Sequence, residues 1–550
     1  MECLSLRKKG FTLIELLAVI LILGIIALIA IPIVNKIVNQ SRELAFKQTV
    51  VGVSTSLSNK CNTGVLEGKW NTTYLTIDNG LFSDIYNIDI EGKLPTNASI
   101  YIDEKCDVAI VASDSSFCAT KDYDEENPII KKYDNDNCIL NDNSLSTDES
   151  CFVFNSSTNT IIGYDFANPN CGINVTIPEK INDIPVYYID ANSFAGTNQT
   201  KKIAYVNFSK AIDLKKINSG VNIDEGAFAN NEIVGISFGN IKQLDNIGNF
   251  AFYNNRITDL VLPEGLTKLS SSVFGLNYIK SVVFPSTIKE IGNWSFRDNL
   301  IEELLIPESV ISIEDGAFYN NAISSANIPQ NNTVINNFAF AYNQLNKIVL
   351  PTNITSIGSY AFIDNSISQI NIPSTVTSIG DYAFEDNFLS SITLPSILIN
   401  IGAWAFKNNN LNTINLSNTI TNIGLGAFYN NNLTSVIIPT SINSIHGWTF
   451  QNNNIEDIII PNNITDIGAY AFAGNKSKTV TLGTGLTAIG SLAFTDNNFQ
   501  QINIPNNVVS IAADAFNNSH NFITFNIDNV NNGILNSPWG AGYSEINWLR

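Results

Sequence analysis

The sequence predicts an α+β module, with a long N-terminal helix and a small sheet, followed by a solenoid of about 13–15 coils with a 22-residue period and short parallel strands. Three observations predict this. An uncharged apolar run, Leu16–Val34, begins directly after Glu15. Six of the seven cysteines lie between Cys61 and Cys171. Phenylalanine recurs every 22 residues from Phe252 to Phe516. At 550 residues the chain is too long for one compact core, which calls for separate domains or a repeat array.

The apolar run is long enough, as a helix, to cross a bilayer. It is too long for the core of an ordinary secretory signal. Arg7, Lys8 and Lys9 precede it, which places the N-terminus in the cytoplasm and the remainder outside. Glu15 is the only charge between Phe11 and Val34, and a carboxylate there is costly unless a cation pairs with it.

The stretch "KKGFTLIELL" resembles the prepilin signal of type IV pilins and type II secretion pseudopilins. The resemblance implies that residues 1–10 form a leader, cut by a prepilin peptidase after Gly10, and that Phe11 becomes the methylated N-terminal residue. It implies that residues 11–60 form a pilin stem helix whose N-terminal half lies in the membrane or filament core. Glu15 then pairs with the Phe11 amine of a neighbouring pilin subunit, and Gly24 and Pro32 match a glycine and a proline common in such stems. The alternative is a plain membrane anchor. Beyond the span, Ile37, Leu44 and Val51 recur at sevens, with Val34, Val38 and Ala45 nearby, and extend one helix to about Lys60. Pro32 is expected to bend it.

Residues 61–150 read as a pilin-like, cysteine-containing head. "SIYID" and "DVAIVAS" alternate as strands, and "KDYDEENP" and "YDNDNCILNDNS" read as polar loops. Cys61, Cys106, Cys118, Cys138, Cys151 and Cys171, in an exported chain, suggest up to three disulfides, for which 15 pairings are open. Asp134, Asp136 and Asp142 invite a calcium loop, but Cys138 falls where the EF-hand needs an oxygen ligand, so no metal site is expected.

Residues 151–516 form the array, with 517–550 as a C-terminal cap. Asparagine stands three residues after nearly every Phe, from Asn255 to Asn497, and is expected to satisfy buried backbone groups where the coil turns. Proline stands eleven after most, as in Pro263, Pro373 and Pro505, and ends each strand. Apolar residues recur 5, 8, 10, 14 and 17 after Phe, as in Ile367, Ile370, Ile372, Val376 and Ile379. Positions 8 and 10 alternate like a strand, so "QINI" is read as one. A single coil cannot bury its apolar side, whereas stacked coils can, with Phe on Phe along the core.

This pattern resembles the BspA-type (treponemal) leucine-rich repeats, with "FVFNSSTNTIIGYDF" as an opening repeat and "SPWGAGYSEINW" as a polar closing segment. The resemblance implies a leucine-rich-repeat solenoid at a cell surface, binding proteins of a host or a neighbouring cell. Position 9 is expected to face outward, where Val261, Val283, Leu305 and Val349 form one aliphatic set, and Ile437 and Ile459 another. These are the candidate ligand-binding residues, for a protein or glycan ligand. A second row, two residues before Phe, carries Phe250, Trp294, Phe338, Tyr360, Tyr382, Trp404, Trp448 and Tyr470. It is read as structural packing, with a sugar-stacking platform as the alternative.

The formal charge of −20, without Lys/Arg clusters, argues against nucleic-acid binding. His446 and His520 lie in different repeats, and no nucleophile–base–acid constellation, phosphate loop or metal cluster is visible, so neither catalysis nor a cofactor is expected. The reading is a minor, possibly tip-located, type IV pilin that displays an adhesive solenoid, with pilin subunits, the peptidase, the membrane during assembly and an unidentified ligand as partners. The alternatives are a membrane-retained pseudopilin-like component of a secretion or assembly machine, or a membrane-anchored repeat adhesin.

Overall fold

The structure is a computed structural model. It describes residues 44–58, six strands between 73 and 132, and most of 147–517, together with 523–527, 539–541 and 544–548. The chain divides into two compact units, Met1–Leu145 and Ser146–Arg550.

In the first unit, residues 44–58 form helix α1. Its buried face is Phe46, Val50, Val53 and Leu57, at helical spacings of four and three. This corrects the heptad read from the sequence, because Leu44 is 59% exposed and Val51 half-buried. The deeper stripe wins because it carries a Phe and three aliphatics at consecutive turns. Strands β1 (Thr73–Asp78), β2 (Leu81–Ser83), β3 (Asn97–Ile102), β4 (Val108–Ser113), β5 (Phe117–Lys121) and β6 (Ile129–Lys132) form an antiparallel sheet in the order β2-β1-β3-β4-β5-β6. "SIYID" and "DVAIVAS" fall in β3 and β4. Ala98 opposes Ala112 and Ile100 opposes Ile110, and all four are buried, so alternation selects one covered face. Gly10, Phe11, Glu15, Gly24, Pro32, the acidic loop with Asp134, Asp136 and Asp142, and Cys61, Cys106 and Cys138 lie outside the described residues. Cys118 sits in β5 opposite Ser113 and Lys131.

The second unit opens with an antiparallel hairpin, β7 (Phe152–Asn155) and β8 (Thr160–Tyr164), at the edge of a sheet that is otherwise parallel. A disulfide joins Cys151, at the start of β7, to Cys171, past the end of β8. It staples the opening coil of the repeats and not the head, because it closes within the second unit.

Two parallel ladders run along the array. The ladder expected 7–10 residues after Phe forms near both ends, as in Asp259–Val261 with Ser281–Val283 and Asp457–Ile459 with Thr479–Thr481. In the middle it thins out. The "QINI" of Gln369–Ile372 is not a strand, and Gln369 makes only one isolated bridge, to Lys347, whereas the same four residues at Gln501–Ile504 form one. The second ladder lies 16–17 after Phe and was not anticipated. Ser356–Ile357, Ser378–Ile379, Asn400–Ile401 and Asn422–Ile423 pair in succession. A two-residue strand has no alternation to read, and only its inward Ile marks it. Between Ile313 and Ile335 the side chain of Asn336 bridges the break, its Nδ2 donating to the Ile313 carbonyl at 2.7 Å.

The corner at Phe forms a third, polar ladder. The N–H groups of Phe250, Phe252 and Asn254 donate to the carbonyls of Ser271, Val273 and Gly275 in the next coil, and this repeats coil after coil. Alternate donation in one direction needs left-handed backbone on both sides of the Phe. Residues two before Phe have φ of 56–60° at Trp294, Phe338, Tyr360, Tyr382, Trp404, Trp448 and Tyr470. Residues two after it do likewise, and there Asn254, Asp298, Asp364, Asp386, Asn408 and Asp496 tolerate the conformation. Each such residue costs about 1–2 kcal/mol, offset by inter-coil hydrogen bonds.

The asparagine row is buried and saturated. Asn387 is representative: its Oδ1 accepts from Ile367 N–H at 3.0 Å, and its Nδ2 donates to the carbonyls of Phe362 at 2.8 Å, Phe384 at 3.3 Å and Glu385 at 3.2 Å. One amide therefore ties two coils together. Beneath it the rings from Phe194 to Phe516 stack in one column, with centroids 4.6–5.8 Å apart. Phe152 and Tyr164 cover one end of the column. Phe525 and Trp539 cover the other. Of the described residues of the closing segment, Trp539 and Ala541 pack inward as an apolar plug, while Glu545 is exposed. Trp539 is fully buried, and its carbonyl accepts the Phe516 N–H at 2.9 Å, as Ala515 does for Phe494.

Replacing Asn387 with Leu should strand the Ile367 N–H, while the Phe362 carbonyl keeps the Asn365 Nδ2 at 3.2 Å, and should destabilise the solenoid by about 1–3 kcal/mol, read as a lowered urea midpoint. Replacing the exposed Asn410 with Leu should leave the midpoint unchanged. Tyr164 donates to the Gly172 carbonyl at 2.9 Å, and burial, aided by the charge of Asp165, pushes its phenol up to about 12 from 10.0. Its neutral form is favoured in the fold. That contribution is fully present below pH 10 and is lost as pH rises through about 12. The fall in melting temperature across this window should be shallower in Tyr164→Phe.

Candidate surface for ligand recognition

Along the outer ladder, inward and outward positions alternate, most sharply at Leu305, Val349, Ile437 and Ile459. Ile438 and Ile458 are buried, whereas Leu305 is 77% exposed, Val349 67%, Ile437 80% and Ile459 63%. An aliphatic side chain held open in this way does nothing for the core of its own coil. Val261 and Val283 are only half-buried. They face each other across Asp259–Val261 and Ser281–Val283, which shields part of each. Asn327, between Leu305 and Val349, reaches back to the backbone of the preceding coil. Its Nδ2 donates to the Ile306 carbonyl at 2.7 Å and its Oδ1 accepts from Ile306 N–H at 2.8 Å. The outward aliphatics thus fall in two groups, separated by the polar residues Asn371, Thr393 and Asn415.

The aromatic row is a different kind of surface. Phe338, Tyr360 and Tyr382 stack face to face at 4.5 and 4.6 Å, and Trp448 stacks on Tyr470 at 5.5 Å. Their ring faces are occupied by one another, so the row does not present the open faces that sugar stacking requires. Two glycines complete the packing. A Cβ on Gly316 would lie 2.2 Å from the Trp294 ring, and one on Gly426 2.2 Å from the Trp404 ring. Each Trp lies over the glycine of the next coil and reaches an aromatic two coils away, Phe338 or Trp448.

An acidic cluster flanks this row and was not picked out in the sequence. Glu385 is buried one residue after Phe384 and pairs with Lys407 at 2.5 Å. Lys407 also lies 5.4 Å over the Trp404 ring. Burial raises the Glu385 carboxyl more than Lys407 lowers it. Burial pulls Lys407 down, but Glu385 and then Asp386 more than offset this and hold it charged. Tyr342 and Tyr360 are raised by burial and then by neighbouring tyrosines and carboxylates, so these phenols stay neutral. Its closed pairing makes the cluster a packing element.

His446 lines a shallow open groove with Ser444, Asp466, Gly468 and Gly490, and stands where the second ladder is interrupted between Ile423 and Ile445. Among the described residues no group of His, Cys, Asp and Glu is arranged to hold a metal ion. His520 lies outside them. Among the described residues no helix is long and apolar enough to cross a membrane; Leu16–Val34 is not among them.

A family model described as "BspA type Leucine rich repeat region" matches the chain in overlapping stretches from 159 to 537. A second, "Prokaryotic N-terminal methylation motif", matches residues 5–31. Three solved structures illustrate the likeness. A leucine-rich repeat protein from Bacteroides ovatus is 18% identical over 68% of this chain and 92% of its own, with a TM-score of 0.44. A leucine-rich cell surface protein from Faecalibacterium prausnitzii is 18% identical over 76% of this chain and 88% of its own, with a TM-score of 0.33. The pneumococcal vaccine antigen PcpA is 16% identical over 80% of this chain and 98% of its own, with a TM-score of 0.39. No curated protein matches the chain in sequence.

The alternation makes a paired prediction. Ile437→Asn should leave the melting temperature within about 1 °C, as an exposed substitution. Ile438→Ala, one residue on, should cost about 2–5 kcal/mol as a core deletion, read by thermal or urea unfolding.

Proposed function

The chain belongs to the BspA-type leucine-rich-repeat family, and on that premise we propose that it is a surface adhesin-like protein carried on a type IV pilin N-terminus, with protein partners captured by the solenoid's outer strand face. The observation that carries this reading is the exposed aliphatic row Leu305, Val349, Ile437 and Ile459, beside neighbours that are fully used in the core. Exposed apolar side chains that group into a contiguous patch mark partner surfaces. The methylation motif supplies the route to the surface. It includes Gly10, Phe11 and Glu15, so cleavage after Gly10 and pairing of the Phe11 amine with Glu15 of an adjacent subunit belong to this proposal. A solenoid of roughly 400 residues per subunit would crowd a filament made only of this chain. We therefore place it as a minor or tip subunit. Family and fold are those of a repeat-protein binding module and not of an enzyme.

Two measurements test this. Mass spectrometry of the N-terminal peptide should find methylated Phe11 in sheared surface filaments. Processed chain confined to membranes would instead favour a pseudopilin-like component, and an intact Met1–Gly10 leader would leave a membrane-anchored adhesin. For the face itself, cells carrying Leu305→Asp with Ile437→Asp should lose at least tenfold in attachment to their target surface, at unchanged surface abundance. Undiminished attachment would move the binding face elsewhere.

A further inference from the structure

We infer that the Cys151–Cys171 disulfide is a mechanical staple, which keeps the opening hairpin folded over the end of the phenylalanine column when the solenoid is pulled from its N-terminal side. The inference rests on the reading that the chain is anchored through its N-terminus, so that load enters the second unit at Ser146. The route of that load can be followed residue by residue. Among the described residues, segment 147–150 is held to the body by two side-chain contacts: Thr147 Oγ1 accepts from Thr176 N–H at 2.8 Å, and Glu149 Oε2 accepts from Asn182 N–H at 2.8 Å. The second is exposed. Both would yield early.

The next element is β7, an edge strand that pairs only with β8. Its first pair is Phe152 with Tyr164. Tension arriving at residue 151 therefore acts on the open end of the hairpin and would break its pairs one at a time, the low-resistance geometry for a sheet. Peeling would also draw Phe152 off Tyr164 and Phe194 and uncover the end of the ring column. The disulfide stands immediately before this weak point. Both its residues are fully buried, and it passes load from Cys151 directly to Cys171, three residues before Asn174–Thr176, the first strand of the outer ladder. With the bond intact, β7, its turn and β8 are outside the load path. The first event under tension is then loss of a whole coil, with its asparagine bonds and stacked ring, and not a frayed hairpin.

Single-molecule pulling of the full chain between its two ends, in detergent, tests this. The first unit contributes the same steps to every variant. In Cys151→Ser with Cys171→Ser an added extension of roughly 70 Å, from a sequence separation of 20 at about 3.5 Å per residue, should appear at a force below every solenoid step of the oxidised chain. Reducing agent added to folded chain in which every other cysteine is serine should produce the same step, which covers the case of a double variant that does not fold. Identical step patterns before and after the bond is cut would overturn the inference. So would an added step at a force above that of the first coil. None of these outcomes depends on whether Phe11 is methylated, so the staple and the pilin reading stand or fall separately.

Discussion

The amide of one asparagine per coil is the interaction on which the array depends. Each side chain from Asn231 to Asn497 accepts from a buried N–H of the preceding coil and donates to a carbonyl of that coil and to carbonyls of its own. A buried N–H without a partner costs about 1–3 kcal/mol, so every coil that lost this amide would carry that penalty, while the Phe carbonyls keep the amide of the neighbouring asparagine. No other side chain of this size presents an acceptor and two donors in one plane. The bond pattern is kept where coils are longer, as in Asn231, which still reaches the Phe194 carbonyl and the Ile203 N–H, and the run from Phe252 to Phe516 holds no insertion.

With register fixed, the other features fall into place around the Phe corner. The ring column fills the interior, and the residue before each Phe is small, as with Ala361, Ala383 and Ala405, because it is fully buried at the turn. The left-handed residues on either side turn the backbone so that its N–H groups all point toward the next coil. That choice brings the bulky aromatics two before Phe into a second column, and Gly316 and Gly426 are where that column skips a step to admit a tryptophan. Function is left to the one face that none of these devices needs, the outward positions of the outer ladder.

Several of these features were legible in the sequence. The Phe, Asn and Pro rows are exact enough to count, and positions 5, 10, 14 and 17 lie in the observed core, with position 8 only half-buried at Ile370, Ile414 and Val436. The exposure of position 9 followed from alternation alone. The left-handed corner could have been found as well. Asn or Asp stands two after Phe in most coils, and those residues tolerate that conformation. The aromatics on the other side hid it, since bulky side chains are poor markers of positive φ. The Glu385–Lys407 pair was legible too, because each stands one residue after its Phe and the 22-residue period places them side by side in adjacent coils.

The sequence by itself determined the period, the identity of the core rows, the family and the N-terminal motif, because each is a repeated or contiguous local pattern that chemistry reads directly. Only the tertiary structure decided which ladder is continuous, how the ends are plugged, which of the open cysteine pairings includes Cys151, and that the aromatic row spends its ring faces on itself. Those outcomes depend on distances between coils. Spacing along the chain says which residues share a row, but not whether two rows approach closely enough to bond.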